Sequence, residues 1–223
     1  MLIQISNGNK NYTHERLESK VLTNTNIKIN SGEFVGIIGD SGSGKTTLLN
    51  ILGLLDDLTS GKYFYNGIDT STLKNSDLDK IRNTQFGFVF QSFYLLSRLT
   101  VIENVCLPLR YCYKKKSERI SLGLQILEKL NILGKSYMYP SQLSGGQIQR
   151  VAIARALVNN PSVIFADEPT GNLDSKNSFA VMKLLKKIHE SGHTVIVVTH
   201  DLKLTSYFTK IFKVMDGKII DEI

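Results

Sequence analysis

The sequence predicts an α/β protein, a parallel sheet with a small antiparallel β element and an inserted helical segment beside it. Three short β-branched runs carry that reading: Phe34 to Ile38, Val163 to Ala166 and Thr194 to Val198 look like parallel strands buried on both faces. Each stops where polar chemistry begins. A glycine-rich loop follows Ile38, Asp167 follows Ala166, and Thr199 and His200 follow Val198. In an open parallel sheet the ligand sits at the carboxyl edge, so that edge is where the chemistry belongs.

The other elements follow from spacing. Lys45 to Leu55 is helical and apolar nearly all round, hence a buried helix. Phe179 to His189 puts Val181, Leu184, Leu185 and Ile188 on one stripe with Lys183, Lys186 and Lys187 off it, an amphipathic surface helix. Tyr63 to Ile68 reads as a hairpin around Asn66-Gly67, and Val214 to Ile219 as another around Asp216-Gly217; together they predict the antiparallel element. From about Ser92 to Asn160 the patterns are helical, with no strand after Phe90. No repeat or proline-rich linker divides the chain. A single domain over 1–223 is expected, with 1–91 and 161–223 forming the core and 92–160 a helical subdomain.

Composition limits the function classes. At 223 residues, with 42% apolar against 21% charged, the chain has material for a core and is not disordered. It contains no run of 18 apolar residues and no secretory leader pattern, so a cytoplasmic location is expected. Cys106 and Cys112 lack partners at metal spacing and read as buried or idle thiols. The net charge of +7 favours anionic partners without choosing among nucleotide, nucleic acid and lipid surface. Lys114-Lys115-Lys116 reads as a solvated face, and His14, His189 and His193 as surface residues.

Gly39-Asp40-Ser41-Gly42-Ser43-Gly44-Lys45-Thr46 matches G-x-x-x-x-G-K-[ST] without a mismatch, after a strand and before a helix. The glycines let successive N–H groups wrap a β-phosphate, the helix start adds positive charge, Lys45 reaches the β- and γ-oxygens, and Thr46 offers its hydroxyl to Mg²⁺. Val163 to Glu168 supplies the complementary half: Asp167 to hold Mg²⁺ through its water shell, Glu168 to orient or deprotonate the attacking water. Read as extended chain, these neighbours point opposite ways.

Leu143-Ser144-Gly145-Gly146-Gln147 is a second anion-binding helix start, with Ser144 as N-cap and open N–H groups at Gly145 and Gly146. One chain thus carries two phosphate sites and one set of carboxylates. Two copies arranged head to tail, each lending its second site to the other's nucleotide, satisfy that arrangement.

With these residues in view, the sequence resembles the nucleotide-binding subunit of an ABC transporter from Tyr12 to His200. The motifs stand in the family's order: Walker A at Gly39 to Thr46, Q-loop at Gln91, signature at Leu143 to Gln147, Walker B at Val163 to Asp167 with Glu168 next, D-loop at Gly171 to Asp174, and switch histidine His200. The resemblance implies a P-loop NTPase of RecA-like core, MgATP as substrate and cofactor, and an ATP-dependent dimer on the cytoplasmic face of a membrane, joined to an integral permease. It also implies roles: Tyr12 stacking on adenine beside Val21; Thr47 next to Thr46 in the cradle; Gln91 at Mg²⁺; Ser144, Gly145, Gly146 and Gln147 at the opposite subunit's γ-phosphate; Asp174 at the shared site; His200 on the phosphate and water; and Lys45, Glu168 and His200 as the catalytic set.

Within the family, Gly53 to Asp56 with Thr59 to Gly61, Gln85 to Gln91, and Asp167 to Asp174 resemble the MacB and LolD branch, which serves lipoprotein release and macrolide or antimicrobial-peptide export. Phe93 to Leu99 lies where a permease helix is expected to dock. A cell-division relative and a soluble cassette acting on ribosomes or DNA are the alternatives; one cassette without a heptad run and without aromatics among its basic residues points away from nucleic acid.

Overall fold

The computed structural model of the chain describes residues 1–14, 17–112 and 115–223, the side chains of residues 14 and 17 excepted. In chain order the elements are β1 Ile3–His14, β2 Leu17–Ile29, β3 Phe34–Ile38, α1 Lys45–Leu52, β4 Ser60–Tyr65, β5 Ile68–Asp69, α2 Asn75–Thr84, β6 Phe86–Val89, α3 Val101–Val105, α4 Lys116–Lys129, α5 Gly145–Leu157, β7 Val163–Asp167, α6 Ser175–Glu190, β8 Thr194–Thr199, β9 Lys210–Met215 and β10 Lys218–Glu222.

A six-stranded sheet runs β10-β9-β3-β8-β7-β6, parallel except for β10. Its register sets the site: Ile38 pairs with Thr199 and Asp167 with Val198, so the polar residues that end β3, β7 and β8 emerge side by side. Alternation explains the apolar runs. Phe34, Ile164, Ala166, Val195 and Val197 pack on one face with Val105, Leu127, Ile153 and Val181 from the helices. Val35, Ile37, Phe165, Ile196 and Val198 pack on the other with α1 and with Ile3, Ile27 and Tyr63 of a second, antiparallel sheet ordered β2-β1-β4-β5.

The hairpin at Tyr63 to Ile68 turns through Asn66 (φ 50) and Gly67 (φ 77), the conformation that matches strand twist. Asp216 (φ 47) and Gly217 (φ 72) turn the other hairpin, but it does not join the antiparallel element: β9 pairs in parallel with β3 and carries β10 to the edge of the main sheet. The first apolar helix is also shorter than its pattern. It ends at Leu52, because Leu54 takes a left-handed conformation (φ 57) that the α-helical ladder cannot continue. On α6, Val181, Leu185 and Ile188 are buried as expected, Met182 joins them, and Leu184 is only half-buried.

Between β6 and β7 the described residues form α3, α4, α5 and short turns, with no strand. The buried side chain of Asn104 holds the approach to α3, accepting from the Leu96 N–H (2.8 Å) and donating to the carbonyls of Leu96, Leu99 and Thr100. No described helix is long and apolar enough to cross a membrane.

Strand β6 lies against α5, and a Cβ at Gly87 would stand 2.4 Å from the Ala156 carbonyl oxygen, a backbone atom that cannot swing aside. Gly87→Ala therefore destabilises the fold by about 1–3 kcal/mol, measured as a lower urea midpoint at unchanged slope.

Candidate active site

The loop after β3 delivers the phosphate cradle. Gly44, directly before α1, has φ 99, open to glycine at little cost, and a Cβ there would meet the Val21 carbonyl at 2.9 Å. Asp40, Ser41, Gly42 and Thr46 face solvent, Gly39 and Thr47 are half-buried, and Lys45 is buried with its ammonium donating to the Asp40 carbonyl at 2.6 Å. The first turn of α1 carries no acidic residue, so the positive end of the helix is uncompensated. The Ser43 hydroxyl is buried without a hydrogen-bond partner among the described residues, an arrangement a phosphate oxygen satisfies.

Thr46 Oγ1 donates to Asp167 Oδ1 at 3.2 Å, joining the cradle to the end of β7. Burial pushes the Asp167 carboxyl above its usual range, with the Thr46 hydroxyl and the Lys45 charge opposing. Glu168 does not continue as extended chain. Its N–H still makes the last ladder bond, to the Val198 carbonyl (2.9 Å), but its φ is 42 and its carbonyl accepts from the Gly171 N–H (3.0 Å), so the two carboxylates are separated by a left-handed turn rather than by strand alternation.

The Glu168 carboxylate is then fixed by the end of β8: Oε1 accepts from the His200 N–H at 3.0 Å and lies 2.7 Å from His200 Nδ1, and Oε2 accepts from Thr199 Oγ1 at 3.3 Å. Thr199, fully buried, is a partner that the sequence reading missed; its only signal there was a polar residue closing an apolar strand. Gln91, in the loop after β6, is exposed; its amide lies against Gly171 and its backbone carbonyl accepts from Asn172 Nδ2 at 2.9 Å.

Ser144 is the N-cap of α5, and Gln147 bends back so that its Oε1 accepts the Ser144 N–H at 3.0 Å. Asp174 caps α6 in turn: Oδ1 accepts the Asn177 N–H (2.9 Å) and Oδ2 the Asn177 amide (2.7 Å). Gln147 and Asp174, expected at nucleotide, thus serve helix starts within the chain. The Asn177 amide lies against Gly146, a contact not foreseen from sequence.

Two clefts result. One, of about 530 Å³, is lined by Glu168, Leu173, Ser175, Thr199 and His200; the other, of about 420 Å³, by Ser144, Gly146, Gln147, Arg150 and Asn177. They share no lining residue, and the start of α6 with the loop before it is the wall between them.

Tyr12 is 43% exposed on β1, and Val21 is half-buried with its carbonyl against Gly44. His189 and His193 are half-buried rather than freely exposed: the His189 ring lies tilted 5.5 Å from Phe34, and His193 Nδ1 is 2.6 Å from the Pro161 carbonyl oxygen. The His14 side chain and Lys114 lie outside the described residues, while Lys115 and Lys116 are exposed. Both cysteines are free; burial pushes the Cys106 thiol up to about 11.

No three His, Cys, Asp or Glu side chains among the described residues converge on a metal position. A hydroxyl beside one carboxylate fits Mg²⁺, which takes most of its ligands from phosphate and water. Phosphate cradle, hydroxyl-carboxylate pair and oriented glutamate at the carboxyl edge of a parallel sheet define a P-loop ATPase.

A family model described as ABC transporter matches residues 22–171, and the chain belongs to that family. It is 49% identical over 222 residues to the uncharacterized ABC transporter ATP-binding protein MJ1508 of Methanocaldococcus jannaschii, covering 100% of this chain and 99% of that one. It is 46% identical over 221 residues to the macrolide export ATP-binding/permease protein MacB of Mannheimia succiniciproducens, covering 99% of this chain but only 34% of that protein. The chain therefore spans about a third of the length of the MacB relatives it matches. Among solved structures it is similar to the bacterial ABC transporter cassette MJ0796, described as dimeric, with a TM-score of 0.91 at 45% identity over 100% of this chain and 98% of that one. The same cassette in a dimeric post-hydrolysis state bound to ADP and Pi gives a TM-score of 0.91 at 44% identity, with the same coverage.

The Asn177 backbone N–H, then its side-chain amide, hold the Asp174 carboxyl below its usual range. A lowered folded-state value stabilises at neutral pH and is lost as pH falls through it. Asp174→Ala accordingly melts below the wild type near pH 7, and thermal scans across pH converge in acid.

Proposed function

We propose that the chain binds and hydrolyses MgATP at a head-to-tail dimer interface and thereby drives a membrane permease that exports or extracts a peptide, antibiotic or lipoprotein. The separate clefts support this reading: Glu168, next to the Asp167 that Thr46 of the cradle bonds, and Ser144 line clefts with no residue in common, and a second copy can bring its own signature helix to a triphosphate held by Lys45.

Lys45 exchanges the Asp40 carbonyl for phosphate oxygens, and the N–H groups of Gly42, Gly44 and Lys45 and the Ser43 hydroxyl bind alongside. Thr46, Asp167 and Gln91 are the residues that hold Mg²⁺, which when bound neutralises and polarises the phosphates. Glu168, oriented by Thr199 and His200, accepts the proton of the attacking water. Ser144 and the start of α5 add a second positive end from the partner copy, so closure is favoured by triphosphate and undone by its cleavage.

The permease reading is supported by a groove of about 810 Å³ lined by Phe88, Phe90, Tyr94, Leu96, Leu107 and Tyr111, of which Tyr94, Leu96 and Tyr111 are exposed. Its wall is set by Arg155 of α5, which donates to the carbonyls of Phe93 (2.7 Å) and Tyr94 (2.5 Å), both left-handed at φ 60 and φ 47. A helix seated there would tie the cassette to the cytoplasmic face of a membrane. The branch that fits this reading is the MacB-like kind, since the relative from Mannheimia succiniciproducens is named an ATP-binding/permease protein.

Glu168→Gln keeps MgATP affinity, lowers turnover by at least about 10²-fold and accumulates an ATP-dependent dimer in size-exclusion chromatography; a wild-type turnover rate would remove Glu168 from this role. Lys45→Ala loses MgATP binding itself, read by calorimetry. Copurification of a stoichiometric integral membrane protein tests the permease reading.

A further inference from the structure

We propose that Asp56 and Lys10 are positioning residues for the adenine base, fixing the Tyr12 ring at a set distance from the phosphate cradle; this rests on Tyr12 being the ring that stacks on the base. The Tyr12 hydroxyl donates to Asp56 Oδ2 at 2.6 Å. Lys10 donates to the other carboxylate oxygen at 2.5 Å and to the Asp57 carbonyl at 2.8 Å. Its ammonium stands 4.8 Å from the centroid of the Tyr12 ring, so one face of that ring is taken by a cation. The side chain of Lys10 is nearly buried, and an ammonium that deep requires the counter-charge Asp56 supplies. Tyr12 as a residue nevertheless remains 43% exposed, which leaves surface for a base.

Asp56 is itself tied to the helix that begins in the cradle. The N–H groups of Leu55 and Asp56 both reach the Asn50 carbonyl, at 2.8 and 3.3 Å, just past the end of α1. Lys45, Thr46 and Thr47 start that eight-residue helix, about 12 Å long. One rigid helix therefore sets the phosphate end and the base end together, and an exposed tyrosine that would otherwise sample several rotamers is held before any nucleotide arrives. Such pre-ordering raises affinity by removing an ordering cost from the binding step.

The test is calorimetric titration of the full chain with MgATP and, separately, with magnesium tripolyphosphate, which has no base. Tyr12→Phe and Asp56→Ala are expected to weaken MgATP by roughly 3- to 10-fold, the range of one hydrogen bond, while tripolyphosphate binds as to wild type. Asp56→Asn, which keeps an acceptor oxygen for the Tyr12 hydroxyl but not the counter-charge of Lys10, weakens MgATP less than Asp56→Ala does. In steady state the KM for ATP rises with kcat unchanged. If Tyr12→Phe binds MgATP like wild type while Tyr12→Ala is weakened, stacking stands and the positioning role is overturned. If Tyr12→Ala also binds like wild type, both fall. An equal loss of MgATP and tripolyphosphate in Asp56→Ala overturns the proposal as well, since the damage would then not be confined to the base.

Discussion

Burial of the central strands on both faces is the constraint from which the site follows. A strand such as β3, with all five residues buried, can expose polar groups only at its ends, and the parallel register brings three such ends together. The phosphate cradle, Asp167 and the Thr199-His200 pair are thus neighbours because of hydrogen-bond ladders laid down elsewhere in the sheet. Their chemistry needs atoms held to within a fraction of an ångström, and a close-packed two-sided core supplies that rigidity.

The same economy shapes the region around α6. Asp174 caps the helix through Asn177, Asn177 rests on Gly146 at the start of α5, and Leu173 and Ser175 face Glu168. One short segment therefore touches both clefts, and anything that shifts it on one side is felt on the other. In the proposed dimer this makes the loop a natural reporter between a copy's own phosphates and those of its partner.

The contiguous parts of the site were legible in the sequence because their chemistry is compressed into short words: a glycine-rich turn before Lys45-Thr46, two acids closing an apolar run, Ser-Gly-Gly opening a helix. Strands β3, β7 and β8 were legible for the same reason, being short β-branched runs. The β1–β2 ribbon was not, since its alternation is interrupted by register shifts and asparagines, nor was α2, which buries no residue. Long-range partners were illegible in principle. Thr199 meets Glu168 across 31 positions and Asp56 meets Tyr12 across 44, and no local pattern marks such encounters. The left-handed turn at Glu168 is closed by the Gly171 N–H on its carbonyl, and two acids ending an apolar run carry no local mark of it.

The two-faced core also decides where this lineage is free to vary. From Phe34 to Ile38 no side chain meets water, so nearly every substitution there must be absorbed by a neighbour. The ribbon of β1 and β2 is different: Asn7, Asn24 and Asn26 lie at its surface and bond chiefly to one another. Those exposed asparagines, and not Lys10, Tyr12 or Val21 of the same ribbon, are where substitution is absorbed most easily and where an affinity tag or a fluorophore belongs.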